Sequence, residues 1–171
     1  PANAATMKLV NEATAAGDKA ATVIGSYGAD WSKVAAAPVA ALLAVSSSDL
    51  DGPIDTMKEV KAAQAALLEA TKAAPDGSVL AAAFGGGLTE SALKSVHAMA
   101  KDRDALTRLV ADATAAVKQR SPGELEAFKA TIRSIGKATA EAAKEGGFLG
   151  IGGTQVSDDE KAALARIEAA I

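Results

Sequence analysis

The strongest helix signal in the chain lies at residues 121–144, and it sets the fold class. Ser121-Pro122-Gly123-Glu124 combines a capping serine, a proline at the first helical position and a glutamate three residues after the cap, which is typical of a helix start. Mostly apolar side chains then recur at helical spacing, at Leu125, Phe128, Ile132, Ile135, Thr139 and Ala142. A stripe of this kind is stable only when it packs against other elements of the same chain.

The rest of the chain supplies further helices. Apolar rows of helical period occur near residues 7–24, 31–45, 55–74, 89–99, 104–117 and 157–171. Turn residues separate them: a break is predicted at Gly17-Asp18, Asp30 is a predicted cap, Pro75-Asp76-Gly77 is a stop, and Ser157 with Glu160 forms a second capping box. No segment requires a strand, so we predict an all-α fold, a compact single-domain bundle of six to eight helices.

Composition narrows the classes of function. Hydrophobic residues make up 49% of the chain but aromatic residues only 3%, so Ala, Leu, Val and Ile must fill the core. The 18 basic and 21 acidic residues give a net charge of -3 without a basic cluster, which disfavours nucleic-acid binding. The chain has no cysteine, which fits a cytoplasmic protein, and its apolar runs predict no transmembrane segment.

The acidic turn at residues 47–59 is the best candidate for a site. Numbered from Ser47, it places Asp49, Asp51 and Asp55 at the third, fifth and ninth positions of an EF-hand loop. Carboxylate oxygens are the ligands that Ca and Mg prefer, so this spacing suggests a divalent-cation site.

Two departures from the EF-hand pattern leave alternatives open. Ser47 replaces the first aspartate, Lys58 stands where a bidentate glutamate closes the coordination shell, and Glu59 comes one residue late. The simpler interpretation is that the aspartates cap a helix and favour its positive N-terminal end. Weak binding of Ca or Mg is the second interpretation, and a degenerate EF-hand-like calcium-responsive module is the third.

A glycine-rich loop at residues 146–153 has an apolar interior. Phe148, Leu149 and Ile151 are candidates for a partner-binding loop, for a lid, or for a plain connector whose side chains pack into the core. The loop follows a helix and contains no lysine, so it matches neither nucleotide-binding fingerprint.

Catalytic signatures are absent from the sequence. The single histidine, His97, has no cysteine and no second histidine to work with, and no serine lies in a nucleophile-elbow context. We therefore predict no catalytic residues, and a carboxylate-based enzyme is only the third choice of function.

Taken in order, three motifs resemble the TerB-like (tellurite-resistance-related) helical family of bacteria, in its poorly characterised branch. They are Trp31 with Val34 and Pro38, the turn Asp51-Gly52-Pro53-Ile54-Asp55, and Gly146-Gly147-Phe148-Leu149-Gly150 followed by Val156-Ser157-Asp158-Asp159-Glu160. The resemblance covers residues 31–171 and leaves residues 1–30 as an N-terminal helical extension.

This resemblance implies a compact helical fold, a cytoplasmic setting and an association with stress or metal-related processes. It also implies that Asp51 and Glu160 occupy the positions of the family's acidic residues proposed to bind divalent cations. Lys58 departs from the family, which has a glutamate there. The predicted function is a non-enzymatic accessory or scaffolding protein, with a protein partner or self-association and with weak cation binding at the acidic turn.

Overall fold

The computed structural model describes residues 4–46, 53–85, 90–143 and 156–171, and these ranges are helical without a strand. Their helices are α1 (Ala4–Tyr27), α2 (Trp31–Ser46), α3 (Pro53–Lys72), α4 (Val79–Phe84), α5 (Glu90–His97), α6 (Arg103–Arg120), α7 (Leu125–Ala143) and α8 (Asp158–Ala170). The all-α prediction is confirmed.

Helix α2 lies at the centre of the bundle. It packs against α5, α6 and α7, while α3 packs against α7. Ten of its sixteen residues are buried, because after Lys33 its sequence contains no charged side chain and so offers no face that water must solvate.

Aliphatic side chains and alanines dominate the core, and two aromatic contacts join neighbouring helices. Phe84 of α4 stacks on Phe128 of α7 with ring centroids 6.1 Å apart. Tyr27 and Trp31 meet edge to face at 5.7 Å across the junction of α1 and α2. Such pairs add specific geometry to the burial of apolar area.

Side chains cap several helix starts. The Ser78 hydroxyl accepts a hydrogen bond from the Ala81 N–H at 3.1 Å, and Asp102 accepts one from the Ala105 N–H at 2.9 Å. The capping box predicted at Ser157 is confirmed, since both of its reciprocal hydrogen bonds are present.

The predicted break at Gly17-Asp18 is wrong, because α1 continues through it to Tyr27. A single glycine costs a helix only about 1 kcal/mol, and the neighbouring alanines favour the helix. The chain turns at Gly28, whose φ of 55° lies in the left-handed region that favours glycine. Asp30 follows in a 3-10 turn, and its carboxylate lies 3.5 Å from the Lys33 ammonium.

The capping box predicted at Ser121 is also wrong. Ser121 makes no capping hydrogen bond, and Pro122–Glu124 form a 3-10 turn before α7 begins at Leu125. The Glu124 carboxylate instead accepts a hydrogen bond from the Val79 N–H, at 2.7 Å, and so caps α4, 45 residues earlier in the chain.

Candidate functional site

The acidic turn falls mostly outside the described residues. Asp49 and Asp51 lie there, and Asp55 lies in the first turn of α3 with a side chain that is also outside the described set. Glu59 is one turn further along α3 and is 4% exposed. A carboxylate this deeply buried requires compensation by a hydrogen bond or a charge.

Glu160 is also buried, at 4% exposure, where it forms the capping box of α8, and its role as a metal ligand remains a prediction. Its Oε2 accepts a hydrogen bond from the Ser157 N–H at 2.7 Å, while the Ser157 hydroxyl accepts one from the Glu160 N–H at 3.1 Å. Nearby, Lys161 holds the pKa of the exposed Asp158 carboxyl below its ordinary value. These residues stabilise the start of α8.

Metal ligands do not gather in the part of the chain that the structure describes. Within it, no group of three or more His, Cys, Asp or Glu side chains is placed to hold an ion. Because Asp49 and Asp51 lie outside that part, the cation site remains a prediction.

Two further candidates from the sequence are the glycine-rich loop and His97. Phe148, Leu149 and Ile151 lie outside the described residues, so their partner-binding role remains a prediction. His97 is exposed at the end of α5, as expected for an ordinary helix-surface residue.

A surface cleft of about 530 Å³ lies between the end of α3, the turn that follows it, α4 and the start of α7. We call it the α3–α7 cleft. It is lined by Ala70, Ala73, Ala74, Pro75, Asp76, Gly77, Ser78, Leu80, Gly123, Glu124 and Ala127. Its walls are therefore mostly alanine, proline and leucine.

The charged residues that line the α3–α7 cleft are both acidic. Asp76 lies on the exposed rim, 4.0 Å from the Lys19 ammonium of α1. Glu124 is half-buried and is held by the Val79 N–H. The carboxyl end of α3 and the starts of α4 and α7 all open on the same cleft, so their opposite partial charges offset one another. The two carboxylates therefore give the described lining its negative charge.

The turn that forms part of this cleft was predicted from the sequence. Pro75-Asp76-Gly77 was predicted as a helix stop, and it forms the turn, with Gly77 at a φ of 79°. The hydrogen bond from Val79 to Glu124 had no sequence signal, because its partners are 45 residues apart and Glu124 also fits a local capping box.

Two contacts at the carboxyl end of α1 anchor it to the bundle. Tyr27 is fully buried, and Arg120 Nη1 donates a hydrogen bond to the Ser26 carbonyl at 2.8 Å. Burial raises the pKa of the Tyr27 phenol above its ordinary value, while the Ser121 hydroxyl opposes this shift. From Met7 to Lys19, every side chain that the structure describes is exposed.

Four exposed positions on α1 follow the 3-4-3 spacing of a helix–helix seam. They are Thr14, Gly17, Ala21 and Ile24. Residues at this spacing lie along one side of a helix, and the small ones permit a close approach by another helix. We call these four residues the α1 seam.

One helical stretch in the described ranges, Thr14–Ser46, is long and apolar enough to cross a membrane by length and composition. It includes the buried α2, and 56% of its most apolar window is buried inside the protein. Core helices of soluble proteins meet the same criterion, so the predicted absence of a transmembrane segment remains a prediction.

Comparison with known proteins found no matching family model, no matching curated protein and no matching solved structure. The TerB-like resemblance therefore remains a prediction.

Proposed function

We propose that this chain is a non-enzymatic accessory or scaffolding protein that acts through protein contacts made by α1. The observation that carries the proposal is the exposure of the α1 side chains that the structure describes between Met7 and Lys19. This helix has 24 residues, yet Tyr27 is the one that it places in the described core cluster, with Val23 packed at the edge of that cluster.

An exposed helix of this kind gains stability from a partner. Most helical stability in proteins comes from packing of one face, and the described side chains of α1 from Met7 to Lys19 are exposed. The ion pair between Lys8 and Glu12, at 3.7 Å, is solvent-exposed and adds little. A helix packed along the α1 seam would supply the missing contacts.

Two exposed carboxylates, Glu168 and Asp158, are held in ion pairs, in keeping with a non-enzymatic role. Arg133 donates from Nε and Nη2 to both oxygens of Glu168, at 2.7 to 3.0 Å, and this holds the pKa of Glu168 below its ordinary value. Lys161 does the same for the pKa of Asp158. A carboxyl that acts as a general acid near neutral pH requires the opposite shift.

The proposal includes a cytoplasmic location without a membrane span. In support, α2 is covered by α5, α6 and α7 instead of presenting an apolar surface to lipid. The absence of cysteine fits a reducing compartment.

Site-specific photocrosslinking in cells tests the proposal. We expect a photoreactive phenylalanine at Thr14, in the α1 seam, to form a discrete protein adduct, whereas the same probe at Ala162, on the exposed face of α8, forms none. The mass of the adduct distinguishes a second copy of the chain from another protein.

Two variants show whether the adduct requires an intact helix. Ala16→Pro interrupts α1 and should abolish the adduct, because proline removes a backbone hydrogen bond and clashes with the preceding turn. Ala16→Ser retains the helix and should preserve the adduct. Adducts of equal yield from Thr14 and Ala162, or none from Thr14, would contradict the proposal.

A further inference from the structure

We infer that the α3–α7 cleft binds a basic side chain, a lysine or arginine flanked by apolar residues, of a partner peptide. The inference rests on the proposed function, since it names the chemistry of a protein partner. The cleft is a surface distinct from the α1 seam, so the inference about the cleft and the proposal about α1 can be contradicted separately.

The shape and apolar lining of the cleft match the methylene stem of a lysine or arginine side chain. Ala70, Ala74, Leu80 and Ala127 give it apolar walls without bulky side chains. Lysine and arginine bury their methylene stems along apolar surface while the charged head stays among polar groups. A wall of alanines leaves space for that stem and for the apolar residues on either side.

The charge of the cleft selects a cation. Among the described residues, the charged side chains that line it are the carboxylates of Asp76 and Glu124. The hydrogen bond from the Val79 N–H fixes the Glu124 carboxylate in place. Because a carboxylate can accept about four hydrogen bonds, Glu124 can hold Val79 and a ligand cation together.

The protein's own Lys19 shows that the rim accepts an ammonium group. The Lys19 stem packs against Gly77, and its Nζ lies 4.0 Å from Asp76. Both side chains of this pair are more than half exposed, and such pairs contribute little, so a partner cation can share Asp76.

The openness of the cleft favours a peptide over a small metabolite. Ala73, Pro75, Asp76, Gly123 and Ala127 line it and are all exposed. Sites for small molecules usually enclose about 70–90% of the ligand surface. A side chain that enters from a partner needs no such enclosure, because the partner's own backbone covers the opening.

The test is a nuclear magnetic resonance titration of the ¹⁵N-labelled full chain with the peptide acetyl-Ala-Leu-Lys-Leu-Ala-amide. We expect saturable shifts of the Gly77, Ser78, Gly123 and Ala127 amides. A matched peptide with norleucine in place of lysine should bind about tenfold more weakly or not at all, because it lacks the charge-assisted hydrogen bonds.

Variants assign the binding to the two carboxylates. Asp76→Asn with Glu124→Gln should weaken binding by roughly tenfold, since glutamine still accepts from Val79 but carries no charge. The matched control is Glu126→Gln, whose exposed carboxylate does not line the cleft and whose loss should change affinity less than about twofold. Thermal melts of each variant verify that the fold is intact.

Three results would overturn the inference. They are equal binding of the lysine and norleucine peptides, an equal loss in Glu126→Gln, and shifts spread over the acidic surface instead of this cleft. Shifts of equal size with butylammonium alone would show that the ligand is a small amine and not a peptide. None of these results affects the crosslinking test of α1, so the two proposals fail separately.

Discussion

Helices α1 and α2 are adjacent in the chain and both rich in alanine, but α2 is mostly buried, whereas the described side chains of α1 from Met7 to Lys19 are exposed. The difference lies in their charges: α1 carries Lys8, Glu12, Asp18 and Lys19, whereas α2 carries only Lys33 at its start. Alanine makes both segments helical. The distribution of charge then decides which of them the core can enclose.

The two helices therefore predict opposite responses to mutation. Leu42→Ala in α2 should lower the free energy of unfolding by about 2–5 kcal/mol, because it removes a buried side chain and leaves a cavity. Met7→Ala in α1, where the side chain is 58% exposed, should change it by less than about 0.5 kcal/mol.

Urea unfolding of both variants measures this contrast. Met7→Ala serves as the matched control, since methionine and leucine have similar volumes. A loss in Met7→Ala as large as that in Leu42→Ala would show that α1 contributes to the core of the isolated protein.

A second prediction concerns α4, the helix on which the end of α1 rests. Glu124→Ala leaves the Val79 N–H without its acceptor, and we expect it to cost about 1–3 kcal/mol. Glu126→Ala removes an exposed carboxylate two residues later and should cost less than about 0.5 kcal/mol. If the two variants unfold at the same urea concentration, the hydrogen bond from Val79 to Glu124 does not stabilise the fold.

These elements show what could be predicted from the sequence and what could not. The all-α class and the capping box of α8 were predictable, because apolar spacing and caps are local properties. The Ser121 prediction was wrong for a physical reason: Glu124 forms a hydrogen bond with a backbone group 45 residues away, and no local pattern records that choice. The break predicted at Gly17 was wrong because alanine-rich neighbours outweigh one glycine.

The sequence also could not reveal the sites that the structure brings together. The α3–α7 cleft joins two segments that are distant in the chain, residues 70–80 and 123–127, so its acidic lining appears only when α3 and α7 pack. The seam on α1 was hidden for a related reason, since its residues resemble any buried helical row until exposure is known.

A third prediction concerns the anchor of α1. The pKa of the Tyr27 phenol is raised in the folded protein, so the neutral phenol favours the fold. Its contribution to the free energy of unfolding is fully present below the pKa of the unfolded state, about 10. It is then lost as the pH rises through the folded value. Tyr27→Phe should lack this alkaline loss of stability.

The only tyrosine of the chain makes this measurement direct. Phenolate absorbance gives the folded pKa, and urea midpoints across the same pH range give the stability of the wild type and of Tyr27→Phe. A phenol that titrates at its ordinary pKa, or an equal alkaline loss in both proteins, would show that Tyr27 does not anchor α1.

The smallest expected effect is that of divalent cations on the acidic turn between α2 and α3. Calcium or magnesium at a concentration equal to its dissociation constant should stabilise the fold by roughly 0.4 kcal/mol. Thermal melts of metal-stripped protein with each ion measure the shift. Asp51→Asn should reduce this shift. If no ion shifts the melting temperature, the acidic turn caps a helix and does not bind a divalent cation.

Hydrogen exchange of the isolated protein tests the central claim most directly, namely that α1 is an exposed helix available to a partner while α2 is core. We expect amides of residues 4–18 to exchange within a few orders of magnitude of unfolded rates, and amides of α2 to exchange only through global unfolding. Protection of α1 equal to that of α2 in dilute protein would contradict the claim.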